Sequence, residues 1–305
     1  MSLARLGIAR AAPARRAGRN GAGRSLAWLV APLALVMLGG YLAPLAQSLF
    51  GSLHPNTPAG IDTARWTAAN YARLADPYYA GVFLRTLRVS LVISLVTAVL
   101  AYPVALYISR LRPRAQAVML LVYMAPWLVN VVVKAFGWSL LLRSNGVLNE
   151  VLLRLGLIDA PLHIMFTELA IIIGLVHGHF MFVLLPLWVA LSGLDPNLRW
   201  AAGNLGARPA QIFWRVTLPL TLPALLAGAI INFTMNMAAF ATPAILGGSR
   251  VRVVSYVAYE VNLVELNWPF GGALAVALLG ITLILIALAQ RLARAGGRAA
   301  TAEAA

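Results

Sequence analysis

The chain has 305 residues, of which 61% are hydrophobic and only 11% are charged. Soluble domains run at roughly 45–50% apolar and about 25% charged residues, so these proportions exclude an ordinary soluble fold and, away from the two ends, a disordered chain. The net charge is +15, all but one of the basic residues is arginine, and the lack of cysteine excludes disulfides, thiol nucleophiles and cysteine-held metal.

A bilayer core about 30 Å thick is crossed by roughly 20 apolar residues in a helix. Residues 1–25, rich in Ala, Gly and Arg, predict a disordered basic tail. Six stretches then meet the length criterion: Leu26–Phe50, Thr86–Ile108, Val118–Leu142, Glu168–Leu191, Leu222–Gly247 and Phe270–Arg291. All are too long and too uniformly apolar for barrel strands, so the expected fold is all-α, a bundle of about six membrane helices. Pro32, Pro44, Pro103, Pro126, Pro186 and Pro243 fall inside these stretches and predict kinks rather than breaks. Residues 51–83 form a longer segment outside the membrane. Residues 84–291 form a five-helix core, and 292–305 a second tail. No internal repeat of the kind found in inverted-repeat carriers is evident.

The arginines set the orientation. Fifteen basic residues, among them Arg5, Arg10, Arg110, Arg112, Arg114, Arg199, Arg208, Arg215 and Arg291, fall on one side with two acidic residues, Asp195 and Glu303. The opposite side holds eight basic and seven acidic residues. The positive-inside rule therefore places both termini and loop 192–221 in the cytoplasm. Scattered over loops that flank apolar spans, the arginines favour membrane lipid, not nucleic acid, as the partner. Arg15-Arg16 ahead of an apolar run resembles a secretory or twin-arginine signal, but that run is longer than a signal's core, so a retained first helix is expected.

Loop 192–221 reads L198-R-W-A-A-G-N-L-G-A-R-P-A-Q-I-F-W-R-V-T-L-P-L220. Asp195-Pro196 supplies an N-cap and an N1 proline for a short helix over Arg199–Leu205. Gly206 permits a left-handed exit, and a second helix starts near Pro209. An interfacial helix pair is the plainer reading of the periodicity. The loop also resembles that of membrane permease subunits in bacterial binding-protein-dependent ABC importers, whose signature is E-A-A-x3-G-x9-I-x-L-P. Ala201, Ala202, Gly206, Val216, Leu218 and Pro219 stand at the matching positions, and Trp200 stands where the family has Glu. G146-V-L-N149, L155-G-L-I158, L184-L-P-L-W188, T242-P-A-I-L-G-G248 and N267-W-P-F-G-G-A273 are similar to permeases of the spermidine/putrescine type.

The resemblance implies a type I ABC importer permease that forms the translocation pathway for a small cation such as spermidine or putrescine. Its partners would be ABC ATPase subunits, a second homologous permease and a periplasmic substrate-binding protein. Residues Trp200, Ala201, Ala202, Gly206, Ala207, Phe213, Val216, Leu218 and Pro219 would couple the subunit to the ATPase. Opines, aminophosphonates and other small solutes are alternative substrates, and a gradient-driven carrier or a scaffold without transport are rivals of another class.

No cofactor is expected on this chain. A phosphate-binding Walker loop needs a lysine after glycine, and the only lysine, Lys134, lies in a span, so ATP and Mg belong to the partner ATPase. No metal site or catalytic residue is expected either: His177-Gly-His179 lacks a third ligand, and packing or interhelix hydrogen bonding is their simpler role. Polar groups at membrane depth point to a cavity or to interhelix bonds. Asn130, Lys134 and Trp138 recur at i, i+4 and i+8, which would put them on one helix face. Lys134 suits an ion pair or carbonyl contact better than a direct hold on a cation. Asn232 and Asn236 repeat that spacing near Phe233, Phe240 and Thr242, where amide oxygens and aromatic faces suit an ammonium group or hold helices together. Glu260 and Glu265 are candidate outside contacts for a cationic substrate or a binding protein, or a solvated loop pair.

Overall fold

A computed structural model describes residues 19–58 and 60–302. Helix α1 (Arg19–Ser52) carries Pro32 and Pro44 within it, and from Ala31 to Gln47 its described side chains are all exposed. A helix that is apolar all round and bare over this length suits a membrane. The portion up to Ser48 forms a compact unit by itself, and Leu49 onward forms the second. The basic tail expected over 1–25 is helical from Arg19 onward, while residues 1–18 lie outside the described part.

In the second unit, the end of α1 is capped by a side chain from beyond a short hairpin, β1 (Asn56–Thr57) with β2 (Gly60–Ile61). Asn70 on α2 (Ala69–Arg73) donates to the carbonyls of Ser52 and His54, each at 2.9 Å, so two groups freed at the helix end find a donor. Helix α3 (Pro77–Ile108) starts at the Asp76 cap with Pro77 at its first position.

Next come α4 (Pro113–Leu128), α5 (Val131–Leu142) and α6 (Val147–Arg154). They are followed by α7 (Glu168–His179), α8 (Met181–Ser192), α9 (Pro196–Asn204) and α10 (Pro209–Ile212). A π turn over Phe213–Thr217 leads into α11 (Leu218–Met237), then α12 (Ala241–Leu246), α13 (Val254–Leu263) and α14 (Trp268–Ala302). Among the described residues four helices are long and apolar enough to cross a membrane, and two bent pairs bring the number to as many as six.

Three of the expected spans are not single helices. The third is broken at Val129–Asn130, where α4 and the α5–α6 segment meet at 92°. Pro126 removes a ladder donor shortly before the break, and Asn130 starts a new helix by accepting the Val132 N–H at 2.8 Å. The fourth bends by 44° at Phe180. The fifth stops at Met237 and restarts at Ala241. Pro243 falls in the first turn of α12, where its missing N–H costs nothing; in an unbroken helix it would have cost a bond. At the C-terminal end α14 continues as helix to Ala302 where a tail was expected from 292.

Helices α3, α8 and α11 form the centre. Ala101, Tyr102, Ala105 and Ile108 of α3 pack on Val183, Leu184 and Leu187 of α8. A second cluster joins Val89 and Ile93 to Ile171, Leu175 and Leu246, and a third packs Tyr79 and Val82 against Val257, Phe270 and Leu274. Gly228 lets α11 approach α8: a Cβ there would lie 3.0 Å from both the Phe182 carbonyl oxygen and Val183 Cα. The Phe182 carbonyl is the one that Pro186, four residues on, cannot bond.

Candidate functional site

The α9–α10 loop builds itself from local rules. Asp195 accepts the Asn197 N–H at 2.9 Å, with Pro196 at the first helical position. At the far end Gly206 takes φ +83°, Gly206 N–H donates to the Gly203 carbonyl at 2.9 Å, and Ala207 N–H reaches back to Ala202 at 3.1 Å. This is the two-bond Schellman stop, and it needs a left-handed residue at Gly206. Helix α10 then opens with Pro209, and Arg208 N–H donates to the Gln211 side chain at 2.8 Å.

Past α10 the ladder widens, and Leu218 N–H bonds the Phe213 carbonyl five residues back. Pro219 cannot donate and would crowd the Arg215 carbonyl in a regular helix, and the wider π turn accommodates it. Phe213 is half-buried and meets Tyr102 edge-on, while Thr221 bonds the Tyr102 hydroxyl at 2.8 Å. The outer surface of the loop is apolar and bare: Trp200 is 71% exposed and Leu205 is 89% exposed. Leu205 and Trp214 are likewise exposed and were not marked by the loop's sequence, since most of its residues are apolar or small.

The amides expected to line a pathway are buried. Asn232 Oδ1 accepts from Asn236 Nδ2 at 2.5 Å and from the Ser94 hydroxyl at 3.3 Å. Asn232 Nδ2 donates to the His179 carbonyl at 3.0 Å, and the Asn236 oxygen accepts from His179 Nδ1 at 2.7 Å. Together they tie α3, α7 and α11. His177 lies on the outer surface and takes the Trp138 N–H at 3.2 Å.

Asn130, expected on the face of Lys134 and Trp138, is the exposed cap of α5, and its carbonyl accepts the Lys134 N–H at 3.1 Å. Lys134 itself is half-buried, and a Cβ on Gly178 would lie 3.6 Å from its ammonium nitrogen. Lys134, Trp138, His179 and Thr242 line one narrow cleft between α5, α7 and α12. Thr242 is buried against Gly174, where a Cβ would come within 2.9 Å of its methyl group. Phe233 is half-buried on α11.

At the opposite end of the spans from α9–α10, Phe240 meets Tyr259 with centroids 4.8 Å apart and lies near-parallel to Tyr256 at 6.5 Å. Sequence reading singled out Phe240 alone; the tyrosines repeat around one face of α13. Glu260 is held by Arg252 at 3.0 Å, and Arg252 also donates to the Tyr78 hydroxyl at 3.0 Å. Glu260 is therefore not a free carboxylate, whereas Glu265 is exposed. Burial, and then the Glu260 charge, push the Tyr256 hydroxyl pKa above its ordinary value.

Residues 89–295 match the family described as "Binding-protein-dependent transport system inner membrane component". The chain is 36% identical over 230 residues to the spermidine/putrescine transport system permease protein PotB of Escherichia coli (strain K12), covering 74% of this chain and 84% of that one. It is 36% identical over 220 residues to PotB of Haemophilus influenzae, covering 72% and 77%. Among solved structures it is similar to a chain of a bacterial alginate ABC transporter in complex with an alginate pentasaccharide-bound periplasmic protein. The TM-score is 0.73 at 17% identity, covering 91% of this chain and 98% of that one.

Proposed function

Because the chain belongs to the family of binding-protein-dependent inner membrane transport components, as a non-catalytic, multi-pass permease subunit of an ABC importer, we propose that it forms half of a pathway for a small polyamine. A second, homologous permease would supply the other half, and two ATPase subunits and a periplasmic binding protein would complete the transporter. The observation that carries the substrate is the 36% identity to relatives named for spermidine and putrescine. The aromatic group Phe240, Tyr256 and Tyr259 supports it, since ring faces attract ammonium groups.

In this reading both termini and loop 192–221 face the cytoplasm. The bare Trp200–Leu205 surface seats in a groove of the ATPase, with the Schellman stop at Gly206 setting the loop's direction. ATP and Mg act on the partner, and ATP binding favours the state of the spans that it fits better, so the pathway alternates by population shift.

A second reading rests on Lys134. A lysine at membrane depth with no carboxylate partner among the described residues suits a solute with a carboxylate or phosphonate beside its amine, such as an opine or aminophosphonate. Uptake of labelled putrescine and spermidine in cells with and without the gene decides between them. Loss on deletion, competed by polyamines alone, supports the first. Unchanged polyamine uptake in a strain lacking other polyamine importers overturns it.

A further inference from the structure

A half-open cavity of about 570 Å³ lies between the α9–α10 loop, Trp200 included, and the ends of α3 and α8. Its walls include Leu106, Leu191 and Phe213, and Ser192, Arg110 and Arg199 also line it. Arg110 stands two residues past the end of α3, and Arg199 lies on α9, so two separate elements each bring an exposed arginine to the edge of one space. Among the described residues neither arginine has a carboxylate within ion-pair distance. The acid of this loop, Asp195, is engaged in capping α9.

The depth identifies the chemistry. Ile108 ends a helix of membrane-crossing length and Ser192 ends the bent α7–α8 pair, which reaches that length together, so the cavity sits where hydrocarbon gives way to phosphate groups. We propose that this cavity binds an anionic phospholipid, its phosphate held between Arg110 and Arg199 and the first part of an acyl chain laid along Leu106, Leu191 and Phe213. Guanidinium pairs suit a phosphate because each offers forked donors at fixed geometry, and basic pockets between membrane helices are recognised headgroup sites. A lipid seated there bridges the coupling loop to the helix core, so membrane composition sets how firmly α9 is held. The inference rests on α9–α10 lying at the membrane surface and is independent of the substrate.

The test is native mass spectrometry of the full chain released from nanodiscs of phosphatidylcholine containing phosphatidylglycerol. Discs expose both faces, so binding is read whichever way the chain inserts, and a failure here leaves the permease reading standing. The wild-type chain should retain phosphatidylglycerol over phosphatidylcholine, and Arg110→Gln with Arg199→Gln should cut that preference roughly tenfold through loss of two charge-assisted contacts. Arg110→Lys with Arg199→Lys keeps the charge and should retain most of it. Arg114→Gln with Arg208→Gln, at the same end but outside the cavity, should leave it unchanged. Leu106→Trp, which sets an indole where the acyl chain would lie with both arginines in place, should weaken retention of the lipid and does not depend on the charge variants folding. Unchanged preference in the Arg110/Arg199 double variant, equal loss in the Arg114/Arg208 control, or undiminished retention in Leu106→Trp each overturns the proposal. So does binding of inorganic phosphate in phosphatidylcholine discs at an affinity matching the lipid's, which would make the ligand a soluble anion.

Discussion

Asn232 donates its side-chain N–H to the main-chain carbonyl of His179 across 3.0 Å, at the residue where α7 gives way to α8. In a continuous helix that carbonyl would bond Val183 N–H, but Val183 N–H is turned to Phe180 instead. With no water at membrane depth, the bend leaves a carbonyl that only a side chain can satisfy. The amide is thus the counterpart of the bend, held in place by its bond to Asn236.

Replacing Asn232 by Leu should therefore destabilise the subunit by roughly 1–2 kcal/mol, at the upper end for an interhelix hydrogen bond, because a buried carbonyl is left bare. Thermal unfolding in detergent reads this. Asn232→Leu and Asn236→Leu share a network, so the double variant should lose less than the sum of the two, and strict additivity would show that the amides act separately.

Gly206 is required for its left-handed backbone, since nothing lies within 4 Å of where a Cβ would stand. Asn tolerates that conformation and Val does not. Gly206→Asn should keep ATPase co-purification near wild type, while Gly206→Val should abolish it with the membrane core still folded. Equal behaviour of the two would mean that side-chain size, and not backbone hand, sets the position.

Trp200 presents the largest bare side chain on α9. If it anchors the ATPase, Trp200→Ala should weaken retention by about 2 kcal/mol, a factor of roughly thirty, as buried aromatic anchors do. Trp200→Glu, which restores the family's residue, should keep the complex. Loss of the complex in Trp200→Glu would show that the partner's groove has changed with the tryptophan.

Gly228 faces backbone atoms on α8 and not a flexible side chain. Gly228→Leu should force α8 and α11 apart at a cost of about 1–3 kcal/mol, with a matching fall in thermal midpoint and in uptake. Gly280, with open space around it, is the control: Gly280→Leu should be tolerated.

What the sequence discloses follows the range of the interactions. The Asp195 cap, the turn at Gly206 and the restart at Pro209 were legible because each rests on neighbours a few residues away. The apolar stretches were legible from length alone. The breaks at Asn130 and between Met237 and Ala241 were not, because a proline in a span kinks or breaks it according to whether the freed groups find partners elsewhere. The spacing of Asn232 and Asn236 marked them as a pair, but Ser94 lies 138 residues from Asn232 in the chain and the His179 carbonyl lies 53 residues away. Glu260 looked free for want of a view of Arg252, which its own loop folds back to meet.

The π turn at Phe213–Thr217 admits one residue more than a regular turn would hold. Each residue of an α-helix advances the chain by about 1.5 Å and turns it by roughly 100° about the axis. The surplus residue therefore fixes the compass bearing from which α9 and α10 leave the α11 axis. Were Phe213–Thr217 to tighten into a regular helix, Trp200 and Leu205 would swing as a body to another side of that axis. The bare face proposed to meet the ATPase thus owes its heading to Pro219, a residue that is itself exposed at the start of α11.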